Sequence, residues 1–195
     1  MKVFIGWSGQ TSKEVASILK VWLPQMNPQI ETFMSSEDVR LEVSWKAEIM
    51  NKMRETDYAL LCVTRENLNS PWLCFETGVL MGGNVPRVNA ILFDVSRSQV
   101  SGPLQMFPLI EADKINLRLM VYSLNQLCET QCPIDELKRI FDGVYPTVEK
   151  MFAQVRESQK DALPADARDA QDLKREIVAV NSKLDAILSR LGDAV

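Results

Sequence analysis

The sequence predicts an α/β protein with an open, mostly parallel sheet and helices on both of its faces. Short continuous apolar runs, which are typical of parallel strands covered on both faces, alternate four times with helical patterns. The content of 46% hydrophobic and 25% charged residues is that of a globular protein, and 195 residues suffice for one domain and an appendage. Ligands of such sheets usually bind at the carboxyl ends of the strands, so we expect any site there.

Four apolar runs predict the strands, which lie over residues 3–5, 29–34, 58–63 and 90–93. The run at 29–34 is the weakest of them. Because each strand is followed by a loop at the carboxyl edge of the sheet, four loops should border the site. These loops comprise residues 6–12, 35–44, 64–70 and 94–103.

The first helix follows the first strand directly. Its apolar residues recur at helical spacing and are Val15, Ile18, Leu19, Trp22 and Leu23. Thr11 and Glu14 have the spacing of a capping box, so they are expected to begin the helix. Pro24 and Pro28 are expected to end it.

Further helices are predicted at 44–55 and, after Ser70, up to the glycine pair at 82–83. Ser70 is a favourable N-cap, and Pro71 fits the first helical position that follows it. Later helical patterns cover residues 117–127 and 134–141, and the second of these patterns resumes after Pro146 as far as Val155.

The C-terminal part is predicted to be a separate helix. Residues 1–160 should form the domain with a helical extension, 161–168 a linker, and 169–192 a coiled-coil oligomerisation helix. The heptad seam consists of Leu173, Ile177, Val180, Leu184, Ile187 and Leu191. Leu at a with a β-branched residue at d disfavours a parallel dimer, which makes a tetramer the better prediction. The alternative is an amphipathic helix that folds back on its own domain.

Charge and composition exclude several classes of function. A net charge of −4 and a pI near 5.0 disfavour direct binding of nucleic acid. With no histidine, the chain has no Ser-His-Asp or Cys-His catalysis and no imidazole metal ligand, and we expect no metal site.

The four cysteines lie in or beside apolar stretches and are expected to be buried free thiols, with Cys128 and Cys132 spaced for one helix face. No signal peptide or membrane span is indicated, so a cytoplasmic location is expected.

The tract at 67–86 contains one charged residue, Glu76. Trp72 lies one helical turn before it, so the indole and the carboxylate should share a helix face. The structural alternative is a carboxylate that interacts with the helix dipole or with a hydroxyl. The turn at 6–12 offers backbone amides to a phosphate, or is simply a capped strand-to-helix turn.

Three motifs in this order resemble a Toll/interleukin-receptor (TIR) domain of the bacterial type. The segment VFIGWSG at 3–9 resembles the first strand and loop of that family, and MSSEDV at 34–39 resembles the loop after its second strand. The third and most specific motif, SPWLCFETG at 70–78, resembles the W-x-x-x-E helix. The resemblance covers about the first 130 residues and implies a flavodoxin-like fold. Gly6 stands where a serine is commoner in the family.

The resemblance implies an NAD⁺ glycohydrolase or cyclase that releases nicotinamide with linear or cyclic ADP-ribose. Glu76 would be the catalytic residue, with NAD⁺ as substrate and no further cofactor. The residues implied to bind the substrate are Trp72, Gly6, Trp7, Ser8, Ser35, Ser36, Arg40 and Trp45. The family further suggests antiphage defence by NAD depletion or nucleotide signalling, self-association, and a partner protein of a defence system.

Two other classes of function remain as alternatives. Many TIR domains are scaffolds that bind other TIR domains, and this chain could assemble through such contacts and its C-terminal helix without catalysis. A phosphoacceptor receiver is disfavoured, because the predicted strand at 58–63 is followed by Thr64 rather than by an aspartate. The intact Trp72 and Glu76 favour the enzyme.

Overall fold

This computed structural model describes residues 1–34, 53, 55–82, 85 and 87–162, except the side chains of 160–162. The chain forms two units, residues 1–155 and 156–195. In chain order, the helices and strands of the described residues are β1 (Lys2–Gly6), α1 (Gln10–Met26), β2 (Glu31–Met34), β3 (Tyr58–Val63), α2 (Pro71–Gly82), β4 (Val88–Leu92), β5 (Leu109–Glu111), α3 (Lys114–Leu127) and α4 (Ile134–Ala162). Two short 3-10 helices, Arg97–Gln99 and Gly102–Met106, lie between β4 and β5.

The described strands form one five-stranded parallel sheet in the order β2-β1-β3-β4-β5. This is the strand order of flavodoxin-like folds, so the predicted fold class is confirmed. The chain first runs from β1 to one edge of the sheet and then returns to the other side of β1 to form β3. In folds of this kind, ligands bind at the carboxyl ends of the two strands that flank the reversal, here β1 and β3.

Apolar layers cover both faces of the sheet. One layer packs α1, α3 and α4 against the strands, and the other packs α2 and the 3-10 segments against them. All six residues of β3 are buried, and they contact the two layers alternately. Strands buried on both faces have no polar side to alternate with the apolar one, which explains why β3 was recognisable as an unbroken apolar run.

Helix α1 differs from its prediction at both ends. It begins at Gln10 with Gly9 as N-cap, so Thr11 lies inside the helix and is not its cap. Pro24 also lies inside the helix, which ends at Met26. Both Leu23 and Met26 are buried in the core, and this packing keeps the last turn helical despite the proline.

Two elements in the C-terminal half of the chain also differ from prediction. The short strand β5 was not predicted; it is half-buried and pairs with β4 at the edge of the sheet. Helix α4 continues through Pro146 as one helix, and the rings of Phe141 and Tyr145 stack at 5.3 Å just before the proline. Because α4 ends at Ala162, the first two residues of the expected linker are helical.

Some predictions fall outside the described residues. One is the coiled-coil segment at 169–192, and another is the helix at 44–55. Of that helix the structure describes Met53, which is helical and buried, and Glu55. The loop at 35–44 is outside as well. These predictions stay predictions.

Candidate active site

The predicted pair of Trp72 and Glu76 lies on one face of α2. Ser70 caps this helix, since its Oγ accepts a hydrogen bond of 3.4 Å from the backbone N–H of Leu73. One turn further on, the indole Nε1 of Trp72 donates a hydrogen bond of 2.9 Å to Oε1 of Glu76. Glu76 is completely buried, with 0% of its surface exposed, whereas Trp72 is half-buried. The four-residue spacing in the sequence therefore produces a direct contact.

Gly6, the last residue of β1, makes room for the carboxylate of Glu76. A β-carbon on Gly6 would lie 2.6 Å from Oε2 of Glu76 and 2.7 Å from Cδ2 of Leu61. Both distances are well inside van der Waals contact. The carboxylate thus lies against the backbone at the end of β1, and this close approach accounts for glycine where the resembled family more often has serine.

The two loops that flank the reversal of the sheet are joined by a hydrogen bond. The Oγ atoms of Ser8 and Ser70 are 2.7 Å apart and share a hydrogen bond. Ser8 follows β1, and Ser70 follows β3 and caps α2. The structure therefore brings Gly6, Trp72 and Glu76 together at the carboxyl ends of β1 and β3, where the sequence predicted a site, and it joins Ser8 to the cap of the helix that carries Trp72 and Glu76.

Trp7 is not part of this group. Its side chain is 4% exposed and packs in the layer of α1, α3 and α4. Nζ of Lys13 lies 5.0 Å from the centre of the Trp7 ring, a cation–π distance. Successive side chains of an extended strand point to opposite faces, so Trp7 points away from the face that Gly6 presents to Glu76. The other predicted substrate-binding residues, Ser35, Ser36, Arg40 and Trp45, lie outside the described residues.

The phosphate site that the turn at 6–12 could have formed is occupied by the protein itself. The backbone N–H groups of Gln10 and Thr11 donate to the carboxylate of Glu66, at 2.9 Å and 3.0 Å. No sequence pattern identified Glu66 as the residue that occupies this turn. The sequence indicated only that the loops at 6–12 and 64–70 both follow strands at the carboxyl edge of the sheet. That placement did not identify the side chain that connects the two loops.

The cysteines are free thiols with different environments. Cys62 and Cys128 are buried and Cys132 is half-buried, but Cys74 is exposed, so the prediction of buried thiols is wrong for Cys74. Cys128 is the C-cap of α3 and Cys132 precedes α4, so the two do not share a helix face. Burial, and to a smaller extent the charge of Glu76, raises the pKa of Cys62 and keeps it a neutral thiol.

A separate pocket of about 500 Å³ lies at the opposite edge of the sheet. Its lining includes Glu31, Asp57 and Arg87, which stand at or just before the amino ends of β2, β3 and β4. It contains none of the residues that the sequence assigned to a site.

Within the described part of the chain, no helix has the length and apolar character needed to cross a membrane.

No protein-family model matches the chain, and no curated protein matches it either. Among solved structures, the TIR domains of the activated Roq1 resistosome, which directly recognises the pathogen effector XopQ, are 15% identical, with a TM-score of 0.42. An azoreductase from Bacillus anthracis str. Sterne is 9% identical, with a TM-score of 0.38. Both comparisons cover 80% of this chain and 98% of the other. Likeness at these levels assigns neither a family nor an activity.

Proposed function

We propose that the chain is a TIR-type NAD⁺ glycohydrolase or cyclase and that Glu76 is its catalytic residue. The hydrogen bond between Trp72 and Glu76, at the carboxyl ends of β1 and β3, is the observation that carries this proposal. It combines a carboxylate, a partly exposed aromatic ring and the position in the sheet where flavodoxin-like folds bind ligands. The motif that resembles the W-x-x-x-E helix supplies both residues.

The chemistry suits a protein without histidine. The bond between the anomeric carbon of the ribose and the nicotinamide nitrogen breaks, and both electrons go to the nitrogen. Because the nitrogen is cationic in NAD⁺, nicotinamide leaves as a neutral molecule and needs no general acid. The anomeric carbon then gains the oxygen of water, whose proton is released, or a nucleophilic atom of the same molecule in the cyclising reaction.

Glu76 would stabilise the positive charge that develops on the ribose in the transition state. A fixed carboxylate in a site shielded from water is effective for this purpose, because its field is weakly screened. The indole N–H of Trp72 would hold one carboxylate oxygen in place, and the Trp72 ring would form a wall of the pocket. Since Glu76 is fully buried, the substrate has to displace the groups that cover this carboxylate.

The second candidate is a non-catalytic TIR scaffold that assembles through TIR–TIR contacts and its C-terminal helix. The complete burial of Glu76 favours it, because a buried carboxylate that accepts a hydrogen bond from an indole can serve the fold alone.

For the enzyme, we further propose a cytoplasmic role in antiphage defence, through depletion of NAD⁺ or a nucleotide signal, together with a partner protein of the same system.

Incubation of the purified chain with NAD⁺ at high protein concentration separates the two candidates. Chromatography should resolve nicotinamide, ADP-ribose and cyclic ADP-ribose species. Release of nicotinamide in equal amount to the ADP-ribose products supports the enzyme, and the ratio of linear to cyclic product identifies the reaction. If NAD⁺ is recovered intact at every protein concentration, the scaffold is the better description.

A further inference from the structure

The carboxylate of Glu66 connects two loops that are far apart in the sequence. Glu66 lies in the loop between β3 and α2, and its two oxygens accept hydrogen bonds from Gln10 N–H and Thr11 N–H in the first turn of α1. These partners are 56 and 55 residues away in sequence. Unpaired amides at a helix N-terminus favour a negative charge, so Glu66 serves as the cap that α1 does not obtain from its own sequence.

The turn before α1 is shaped around this carboxylate. Gly9 has a φ of +84°, which favours glycine, and a β-carbon on Gly9 would lie 2.5 Å from the carboxyl carbon of Glu66. Two independent requirements, backbone conformation and space, therefore select glycine here. Glu14, the other acidic residue near this helix end, accepts instead from the side chain of Gln10, at 2.8 Å.

The loop that carries Glu66 is also held on its other sides. Nε of Arg65 donates to the backbone oxygen of Asp94, which follows β4, at 3.0 Å. The buried side chain of Asn67 donates to the backbone oxygen of Cys62, at 2.8 Å. With the Ser8–Ser70 bond, these contacts tie the turns after β1, β3 and β4 to one another at the carboxyl edge.

We propose that Glu66 is a positioning residue that fixes the start of α2 across the reversal between β1 and β3. The loop from Glu66 leads to Ser70, the cap of α2, and Trp72 and Glu76 lie in the first two turns of that helix. This inference rests on the proposed function. A displacement of about 1 Å in a reacting group costs on the order of 100-fold in rate, so a loosened loop should impair NAD⁺ cleavage.

Three variants of the full chain test this role. Glu66→Ala removes both acceptor oxygens, and Glu66→Gln keeps one of them. Asp113→Ala is the matched control, because Oδ1 of Asp113 caps α3 by accepting from the N–H groups of Ile115 and Asn116, both at 2.9 Å. The control loses the same two backbone hydrogen bonds at another helix, and also the one that the side chain of Asn116 donates to Oδ2 of Asp113, but it leaves the loop at 64–70 intact.

Two readouts are needed. For nicotinamide release, we expect Glu66→Ala to lower kcat by about 10-fold or more with a smaller change in KM, Glu66→Gln to recover part of the loss, and Asp113→Ala to stay within about 2-fold of the parent chain. For amide hydrogen exchange, Leu73 and Cys74 should exchange at least about 10-fold faster in Glu66→Ala than in Asp113→Ala.

The two readouts distinguish this inference from the proposed function. Equal losses of kcat in Glu66→Ala and Asp113→Ala would show that stability alone is responsible and would overturn the positioning role. Unchanged exchange at Leu73 and Cys74 in Glu66→Ala would overturn it as well, whatever the activity. A parent chain that releases no nicotinamide refutes instead the proposed function on which the inference rests.

Discussion

The carboxylate of Glu76 lies against the backbone of Gly6, so that a β-carbon on Gly6 would lie 2.6 Å from Oε2. Both residues are buried. A side chain at position 6 would therefore act directly on the position of the carboxylate.

We expect Gly6→Ala to destabilise the domain by about 1 to 3 kcal/mol, because an added methyl group in a packed site forces its neighbours to move. Because the added methyl group displaces the Glu76 carboxylate, the rate of NAD⁺ cleavage should also fall. Gly78→Ala is the control: Gly78 is an exposed residue inside α2, and a β-carbon there meets nothing within 4 Å. That change should stabilise the domain by about 0.5 to 1 kcal/mol. Urea unfolding of both variants measures the difference, and equal stabilities would contradict the close approach.

The second prediction concerns Glu76 itself. Glu76→Gln keeps the shape of the side chain and an acceptor for the Trp72 N–H, but it removes the negative charge opposite the developing cation. Nicotinamide release should fall by about 100-fold or more, with the fold retained. Unchanged release would refute the catalytic assignment. A large loss of melting temperature would point instead to a structural carboxylate.

Trp72→Phe separates the hydrogen bond from the ring. Phenylalanine keeps an aromatic wall beside Phe75, whose ring centre lies 5.4 Å from that of Trp72, but it cannot donate to Glu76. We expect reduced NAD⁺ cleavage by a protein that remains folded, as judged by circular dichroism and turnover. Trp72→Ala should also lower stability, by less than the about 3 to 5 kcal/mol that a fully buried aromatic loses, because Trp72 is half-buried. Normal turnover in the Phe variant, with an unfolded Ala variant, would place Trp72 in the core rather than in the pocket.

The C-terminal segment supplies a prediction about assembly. A chain truncated after Pro164 lacks the predicted heptad seam and should have a smaller mass in light scattering than the full chain. It should also lose much of its NAD⁺ cleavage at low concentration, because the segment would raise the local concentration of the domains. An unchanged mass would refute the coiled-coil assignment.

Tyr58 should make stability sensitive to alkaline pH. Burial raises the pKa of Tyr58 from 10.0 to about 12, against a smaller opposing effect of Arg87, and the Tyr58 hydroxyl accepts a hydrogen bond of 2.7 Å from Asn89. Between pH 10 and 12 the unfolded chain loses this proton before the folded chain does, so the free energy of unfolding should fall as pH rises. Two pKa units correspond to about 3 kcal/mol. Urea unfolding across this range should show a shallower fall in Tyr58→Phe, and identical slopes would exclude the effect.

The sequence by itself determined the fold class and one contact of the candidate site. The all-apolar run at 58–63 identified β3 because a strand buried on both faces has no polar side. Trp72 and Glu76 could be paired because residues four apart in a helix share a face, whatever the helix packs against. Both patterns depend on neighbours within one turn or one strand.

Tertiary structure alone decided the relationships that join distant segments. The sequence contained Gly6, Gly9 and Glu66, but the spatial order of the strands in the sheet had to be known before a carboxylate from the turn after β3 could be assigned as the cap of α1. Local helix signals favoured a capping box of Thr11 and Glu14 instead. The distant cap replaces it because the parallel order β1-β3 places both turns at one edge of the sheet, where the amides of α1 attract the nearest fixed negative charge.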